Sequence, residues 1–146
     1  MKSCYLLLSL LGLSTPAIAN ECDMRAADLV RLTNATLDRR ETMKIFLKLQ
    51  DISELAVECW PTLGVEVGLG LGLPPDAFFE FVGQAAYAVI RLPVGPIKQG
   101  AIRCHQKALR TGDELTEIDH GGAHFECTAT LLPTPGKTSI SVLLPR

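Results

Sequence analysis

Four cysteines spread along the chain constrain its fold more than any other feature of the sequence. They are Cys22, Cys59, Cys104 and Cys127, and a fifth, Cys4, lies in an N-terminal segment that we expect to be removed. An even number of cysteines in an exported chain predicts two disulfides. Of the three possible connectivities we favour Cys22–Cys59 with Cys104–Cys127, because each bridge then closes one half of the chain on itself. A four-thiolate zinc site would need close pairs such as C-x-x-C, and the cysteines here are spaced singly.

The segment of residues 1–19 is typical of a secretory signal peptide. A lysine precedes the apolar run Tyr5–Leu13, and Pro16 and the small-residue triplet Ala17–Ala19 follow it. The run is too short for a permanent membrane anchor, which needs about 20 apolar residues; a buried N-terminal helix is the alternative. We therefore expect one domain of residues 20–146, exported to the periplasm or the extracellular space and without a permanent membrane anchor.

Composition and charge limit the classes of protein to which this chain belongs. Apolar residues make up 47% of the 146 residues, which is too many for a disordered chain and enough for the core of one domain. The formal net charge is -2, so the chain as a whole has no electrostatic attraction to nucleic acid. We predict no nucleic-acid partner.

The N-terminal half predicts helices. A short helix is expected over Asp23–Thr33, and a longer helical stretch is expected to follow it as far as Cys59, where Trp60-Pro61 ends it. The longer stretch carries apolar residues at spacings of four, three, four and three, which predict one buried helical face. These residues are Ile45, Leu49, Ile52, Ala56 and Cys59. Two helices joined by a turn would bring Cys22 near Cys59.

The segment Gly64–Leu73 alternates between apolar residues and glycines. Strict alternation predicts a strand with one buried face, and the glycine face leaves backbone that another element can approach closely. A phosphate-binding loop is the alternative, but neither the G-x-G-x-x-G nor the G-x-x-x-x-G-K-[ST] spacing is present. We therefore predict a strand here.

A helix is predicted over Asp76–Arg91, opened by Pro74-Pro75. Its polar residues form one narrow stripe, so it is apolar on nearly three sides. Such a helix is either buried at the centre of the core or completed by a protein partner or a second copy of the chain.

The C-terminal half predicts an antiparallel meander. Alternating segments separated by turn residues are Ala101–Leu109, Glu114–Ile118, Ala123–Leu131 and Thr138–Leu144. Cys104 and Cys127 fall on the inward faces of two of these strands. The predicted fold class is therefore α+β, with an N-terminal helical half packed against a C-terminal antiparallel sheet of four to five strands, held by disulfides.

Three histidines, His105, His120 and His124, lie in this half of the chain. With Asp119 they contain the donor types of a zinc or copper site, and His105 and His124 are expected on outward faces of neighbouring strands. Solvated histidines are the simpler interpretation. We predict no catalytic residue, no bound metal and no cofactor, since the four cysteines are bridged and Ser139 and Ser141 lack a Gly-x-Ser-x-Gly elbow.

These features favour an exported interaction module such as an inhibitor, an immunity-type protein or an accessory subunit, with helix 76–91 as the binding element. One alternative is a carrier of a small apolar ligand, with the glycine-faced strand and Phe78–Phe81 lining the cavity. A less favoured alternative is a metal-dependent enzyme or metal-binding protein using His105, His120 and His124.

Overall fold

In the part of the chain that the structure describes, one antiparallel sheet carries three helices on one of its faces. The computed structural model describes residues 17–70, 72–112, 115–130 and 136–145. The elements in chain order are α1 (Ala17–Thr33), β1 (Thr36–Arg40), β2 (Lys44–Leu49), β3 (Ile52–Glu58), β4 (Gly64–Leu69), α2 (Asp76–Ile90), α3 (Val94–Thr111), β5 (Thr116–His120), β6 (Ala123–Ala129) and β7 (Thr138–Leu143). The α+β class is confirmed.

The sheet has seven strands in the order β1-β2-β3-β4-β7-β6-β5, and every neighbouring pair is antiparallel. It is therefore larger than the four to five strands predicted. The first four strands form one meander, the last three form another, and the pairing of β4 with β7 joins them. Helices α1, α2 and α3 follow one another across the face, α1 over β2 and β3, α2 over β4 and β7, and α3 over β6 and β5.

The prediction of a long helix ending at Cys59 is wrong. The residues between α1 and Cys59 form the strands β1, β2 and β3. Ile45 and Leu47 on β2 and Leu55 and Val57 on β3 are buried at the two-residue period of strands. A turn with Asp51 at φ +64° separates β2 from β3. The helix-like spacing arose because the apolar residues of two strands were counted across this turn as if they belonged to one helix.

The prediction of a strand over Ala101–Leu109 is also wrong, because these residues belong to helix α3. The buried residues of α3 recur at helical spacing; they are Ile97, Gly100, Ala101, Cys104, His105 and Ala108. Pro93 stands at the N-cap, and Gly112 at φ +75° follows the last turn. Cys104 is buried in both patterns, so alternation over nine residues did not distinguish strand from helix.

The helix predicted over Asp76–Arg91 is present as α2, and of the strand predicted over Gly64–Leu73 the part Gly64–Leu69 is present as β4. The apolar sides of α2 are covered by α1, α3 and the sheet, so its composition is that of a central core helix. Val65 and Val67 of β4 are buried beneath the helices, whereas the alternate Gly64 and Gly68 lie on the opposite face of the sheet. The glycine face and Phe78–Phe81 therefore do not line a common cavity.

The predicted disulfide pairing is confirmed: Cys22 is bonded to Cys59, and Cys104 to Cys127. The first bridge ties α1 to the end of β3, and the second ties α3 to β6. Residues 1–16 of the predicted signal peptide lie outside the described residues, and cleavage and export stay predictions. Within the described part of the chain, none of the helices combines the length and the apolar character needed to cross a bilayer.

Candidate functional site

The helix layer is narrower than the sheet, and β1 projects beyond it. A helix is about 10 Å wide and strands lie about 4.8 Å apart, so three helices cover about six strands. The seventh is β1, whose five side chains are all exposed. Leu37 points to the helix side of the sheet, since it pairs with buried Leu47, yet it is 66% exposed. The apolar face of the sheet thus continues beyond α1, the helix nearest to β1.

The uncovered region forms a groove between α1 and β1, which we call the α1–β1 groove. Its volume is about 400 Å³, and it is lined by Asp23, Ala26, Ala27, Val30, Arg31, Leu37, Arg40, Ile45 and Leu47. The walls and floor are apolar, and the charged residues stand at the rim. Arg40 of β1 forms an ion pair with Asp23 of α1 across the groove. The small side chains of Ala26 and Ala27 would let another element approach the backbone of α1 closely.

The face of the sheet opposite the helices, which we call the open face, is polar. At its centre, Lys44 Nζ lies 2.7 Å from Glu66 Oε2 and 3.4 Å from Glu58 Oε1. The hydroxyl of Ser139 donates to Glu66 and that of Ser141 donates to Glu58. Burial by itself would lower the pKa of Lys44, but the two carboxylates outweigh it and raise that pKa. These serine hydroxyls are thus held by carboxylates.

The three histidines do not form the ligand set considered from the sequence. His105 lies on α3 in the core, 5% exposed and 5.5 Å from the ring centroid of Phe79, not on an outward strand face. Among the described residues none is a hydrogen-bond partner of its Nδ1, and burial lowers the pKa of His105. His120 lies on the helix side of the hairpin near Gly100, whereas His124 lies on the open face. The sheet separates His124 from His105.

His124 instead meets three carboxylates on the β5–β6 hairpin. Its Nδ1 lies 2.8 Å from Asp119 Oδ1. Its Nε2 lies 3.8 Å from Glu126 Oε1 and 4.0 Å from Glu117 Oε1. Glu117, His124 and Glu126 place one ligand atom each within 4.8 Å of one another. We call these four residues the hairpin cluster.

Sequence reasoning named His124 and Asp119 but missed Glu117 and Glu126. The four positions are placed symmetrically about the turn Gly121-Gly122, with Asp119 opposite His124 and Glu117 opposite Glu126. Both glycines have positive φ, +59° and +81°, which a two-residue hairpin turn favours and larger side chains resist. The Gly-Gly pair could have revealed them. A two-residue turn fixes the register of the flanking strands, and that register places Glu117 opposite Glu126.

Comparison with known proteins found no matching family model, curated protein or solved structure. Function is therefore inferred from the chain's own surfaces, of which the α1–β1 groove and the hairpin cluster are chemically the most distinctive. The first is an apolar surface with charges at its rim. The second is an imidazole beside carboxylates.

Proposed function

We propose that this protein is an exported, disulfide-stabilised interaction module whose binding surface is the α1–β1 groove. Its partner is a protein that presents an amphipathic helix. The observation that carries the proposal is the exposure of Leu37 on a strand that the helix layer leaves bare. The helix predicted as the binding element, α2, has its apolar sides buried within the chain, so the interaction is assigned to a different surface.

A helix fits the groove because the uncovered strip along β1 runs beside α1, where a further helix would extend the helix layer past the edge of the sheet. A partner helix laid beside α1 would continue the layer α3, α2, α1 over β1 and would bury Leu37. Ala26 and Ala27 let the two helices approach closely. Helix-in-groove recognition uses apolar anchors at i, i+3 and i+4 against such a surface, with polar groups at its edge. Arg31 and Arg40 at the rim would face acidic flanks of that helix.

Export is supported by the two disulfides, because such bonds persist in oxidising compartments and are rare in reducing ones. Three of the four bridged cysteines are buried, which is typical of structural disulfides. An exported chain of this size, held by two bridges, presents a rigid surface at low entropic cost on binding.

The apolar lining of the same groove also favours a second candidate, a carrier of a small apolar ligand. Binding pockets for small molecules enclose most of the ligand surface, roughly 70–90%. The α1–β1 groove is open along the β1 side, where the sheet ends. A small ligand would therefore stay largely exposed there, whereas a helix brings its own polar face to the solvent.

Site-specific photocrosslinking from inside the groove tests the proposal. A benzophenone amino acid replaces Leu37 in the protein produced in its own host, and the adducts are identified by mass spectrometry. Leu73, in the segment before α2, is the matched control, because it is 68% exposed and does not line the groove. We expect position 37, and not position 73, to crosslink to one protein within an amphipathic helical segment.

Other adducts would contradict the proposal in distinguishable ways. A lipid or metabolite adduct at position 37 supports the carrier instead. A covalent dimer through position 37 indicates self-association. Equal crosslinking at positions 37 and 73 indicates that the groove has no specific occupant.

A further inference from the structure

The hairpin cluster has the stereochemistry of a metal site, independently of the proposed function. A carboxylate accepts hydrogen bonds, so Nδ1 of His124 is the donor to Asp119. In the neutral imidazole this places the free lone pair on Nε2. A carboxylate that holds the other nitrogen of a histidine in this way is the usual support behind metal-ligating imidazoles.

The nearest charged groups to Nε2 among the described residues are two carboxylates. The Nε2–oxygen separations, 3.8 Å to Glu126 and 4.0 Å to Glu117, are too long for hydrogen bonds. They are longer than the separation of about 3.3–3.4 Å between ligand atoms of a tetrahedral zinc ion, so the two carboxylates would move toward Nε2 by about 0.5–0.7 Å when an ion binds. One ion between them would contact the imidazole and both carboxylates.

The local charge also favours a cation. Among the ion pairs formed by the described residues, those of Glu117, Asp119 and Glu126 are all with His124. Glu58 and Glu66, on the same open face, are paired with Lys44. Three carboxylates around one imidazole therefore carry excess negative charge at neutral pH, and a divalent ion would relieve their mutual repulsion.

The scaffold restricts these side chains, which lowers the entropy lost on binding. His124 and Glu126 lie on β6, between β5 and β7, and their side chains are 26% and 27% exposed. Glu117, at 57%, is the most exposed of the three side chains. A cleft of about 530 Å³ lies beside His124 and Glu117, bordered by Gly122, Ala123 and Pro145. Water or a further ligand can reach the ion from the cleft.

We propose that Glu117, His124 and Glu126 bind one divalent transition-metal ion, and that Asp119 positions His124 for it. One nitrogen and two oxygen ligands suit Zn²⁺, Mn²⁺ or Co²⁺ better than they suit Cu(I), which prefers sulfur. The ion has room for a water molecule in a further position. Asp119 is a positioning residue, because it acts through the imidazole.

The test is titration of the disulfide-intact chain, without an affinity tag and after treatment with chelator, with Zn²⁺ followed by calorimetry. The NMR signal of His124 Nε2 is recorded in parallel. We expect saturable binding of one ion per chain and a shift of the Nε2 resonance. His124→Gln should abolish the binding measured by calorimetry, and Asp119→Asn should weaken binding by about 10–100-fold while increasing the share of the other imidazole tautomer.

His120→Gln is the matched control, because it removes an imidazole from the same cleft on the other side of the hairpin. We expect it to bind Zn²⁺ like the unmodified chain. Circular dichroism of each variant establishes that it is folded. Three outcomes overturn the proposal: no saturable binding of Zn²⁺, Mn²⁺ or Co²⁺; binding that persists in folded His124→Gln; or equal loss in His120→Gln.

Discussion

The disulfide between Cys104 and Cys127 joins α3 to β6 directly beneath it. The two cysteines are 0% and 1% exposed, so the bond lies within the interface that the last helix shares with the sheet. It closes a loop with a sequence separation of 23 residues that contains β5. It thereby limits how far the C-terminal helix and hairpin can separate in the unfolded chain.

Removing this bridge by Cys104→Ala with Cys127→Ala should lower the free energy of unfolding by about 2–4 kcal/mol, because the unfolded chain regains entropy. Urea denaturation followed by far-UV circular dichroism measures the change. The oxidised and reduced forms of the unmodified chain provide the reference. An unchanged midpoint would mean that the bridge adds little to a helix–sheet interface that is already well packed.

Gly100 on α3 is required by the close packing of that helix on β6. A Cβ atom added there would lie 2.4 Å from Cζ of Phe125, a fully buried ring. Gly100→Ala should therefore lower the free energy of unfolding by about 1–3 kcal/mol, despite the higher helix propensity of alanine. Thermal and urea melts measure it.

Gly95 on the same helix is the matched control, because nothing lies within 4 Å of its added Cβ. Gly95→Ala should leave stability unchanged or raise it by up to about 1 kcal/mol. Equal effects of the two substitutions would show that helix propensity, and not contact with Phe125, governs both sites.

Lys44 compensates the charges of two half-buried carboxylates at the centre of the open face. In Lys44→Met, Glu58 and Glu66 would face each other without a cation, so we expect the free energy of unfolding to fall by about 1–3 kcal/mol. Urea melts at neutral pH measure the change.

Lys48, on the same strand, supplies the comparison, because its ion pair with Asp38 is more exposed. Lys48→Met should leave stability almost unchanged, because solvent screens this ion pair. If the two methionine variants lose the same stability, partial burial does not strengthen the ion pairs of Lys44.

His105 should make the fold sensitive to mild acid. Burial lowers the pKa of His105 in the folded state, so below its ordinary pKa of about 6.5 the unfolded chain binds the proton more readily. The contribution of His105 is therefore fully present above that pH and is lost as the pH falls through it. His105→Leu should lose less stability than the unmodified chain between about pH 7.5 and pH 5.

Urea midpoints of both proteins across this range measure the difference. His120→Gln serves as the control, because His120 is only half-buried. Parallel pH profiles of His105→Leu and the unmodified chain would contradict the prediction.

Several features of the fold followed from the sequence because they depend on local pattern or on covalent chemistry. The apolar residues over Asp76–Arg91 fit the period of a helix, and the alternation over Ala123–Leu131 fits the period of a strand. These patterns correctly predicted α2 and β6. The disulfide pairing was also correct, although Cys104 lies on a helix and not on a strand. The pairing was predicted from the positions of the cysteines along the chain, so it did not require the right secondary structure at Cys104.

Where the local pattern was consistent with two structures, only tertiary packing decided between them. The apolar residues from Ile45 to Cys59 have the spacing of one helical face. In the structure, however, the segments before and after the Asp51 turn pair with each other as antiparallel strands. Alternation over Ala101–Leu109 was likewise compatible with α3. In both places the choice depends on which long-range partners bury the apolar residues, and a single sequence does not contain that information.

The candidate sites show the same division. The sequence by itself determined that four cysteines would form two bridges and that Asp119 and His124 flank the Gly121-Gly122 turn. Only the tertiary structure decided that three helices leave β1 bare, and that Glu117 and Glu126 join His124 on one face. The first set depends on composition and local spacing, whereas the second depends on sheet register and on the widths of packed layers, which exist only once distant segments have met.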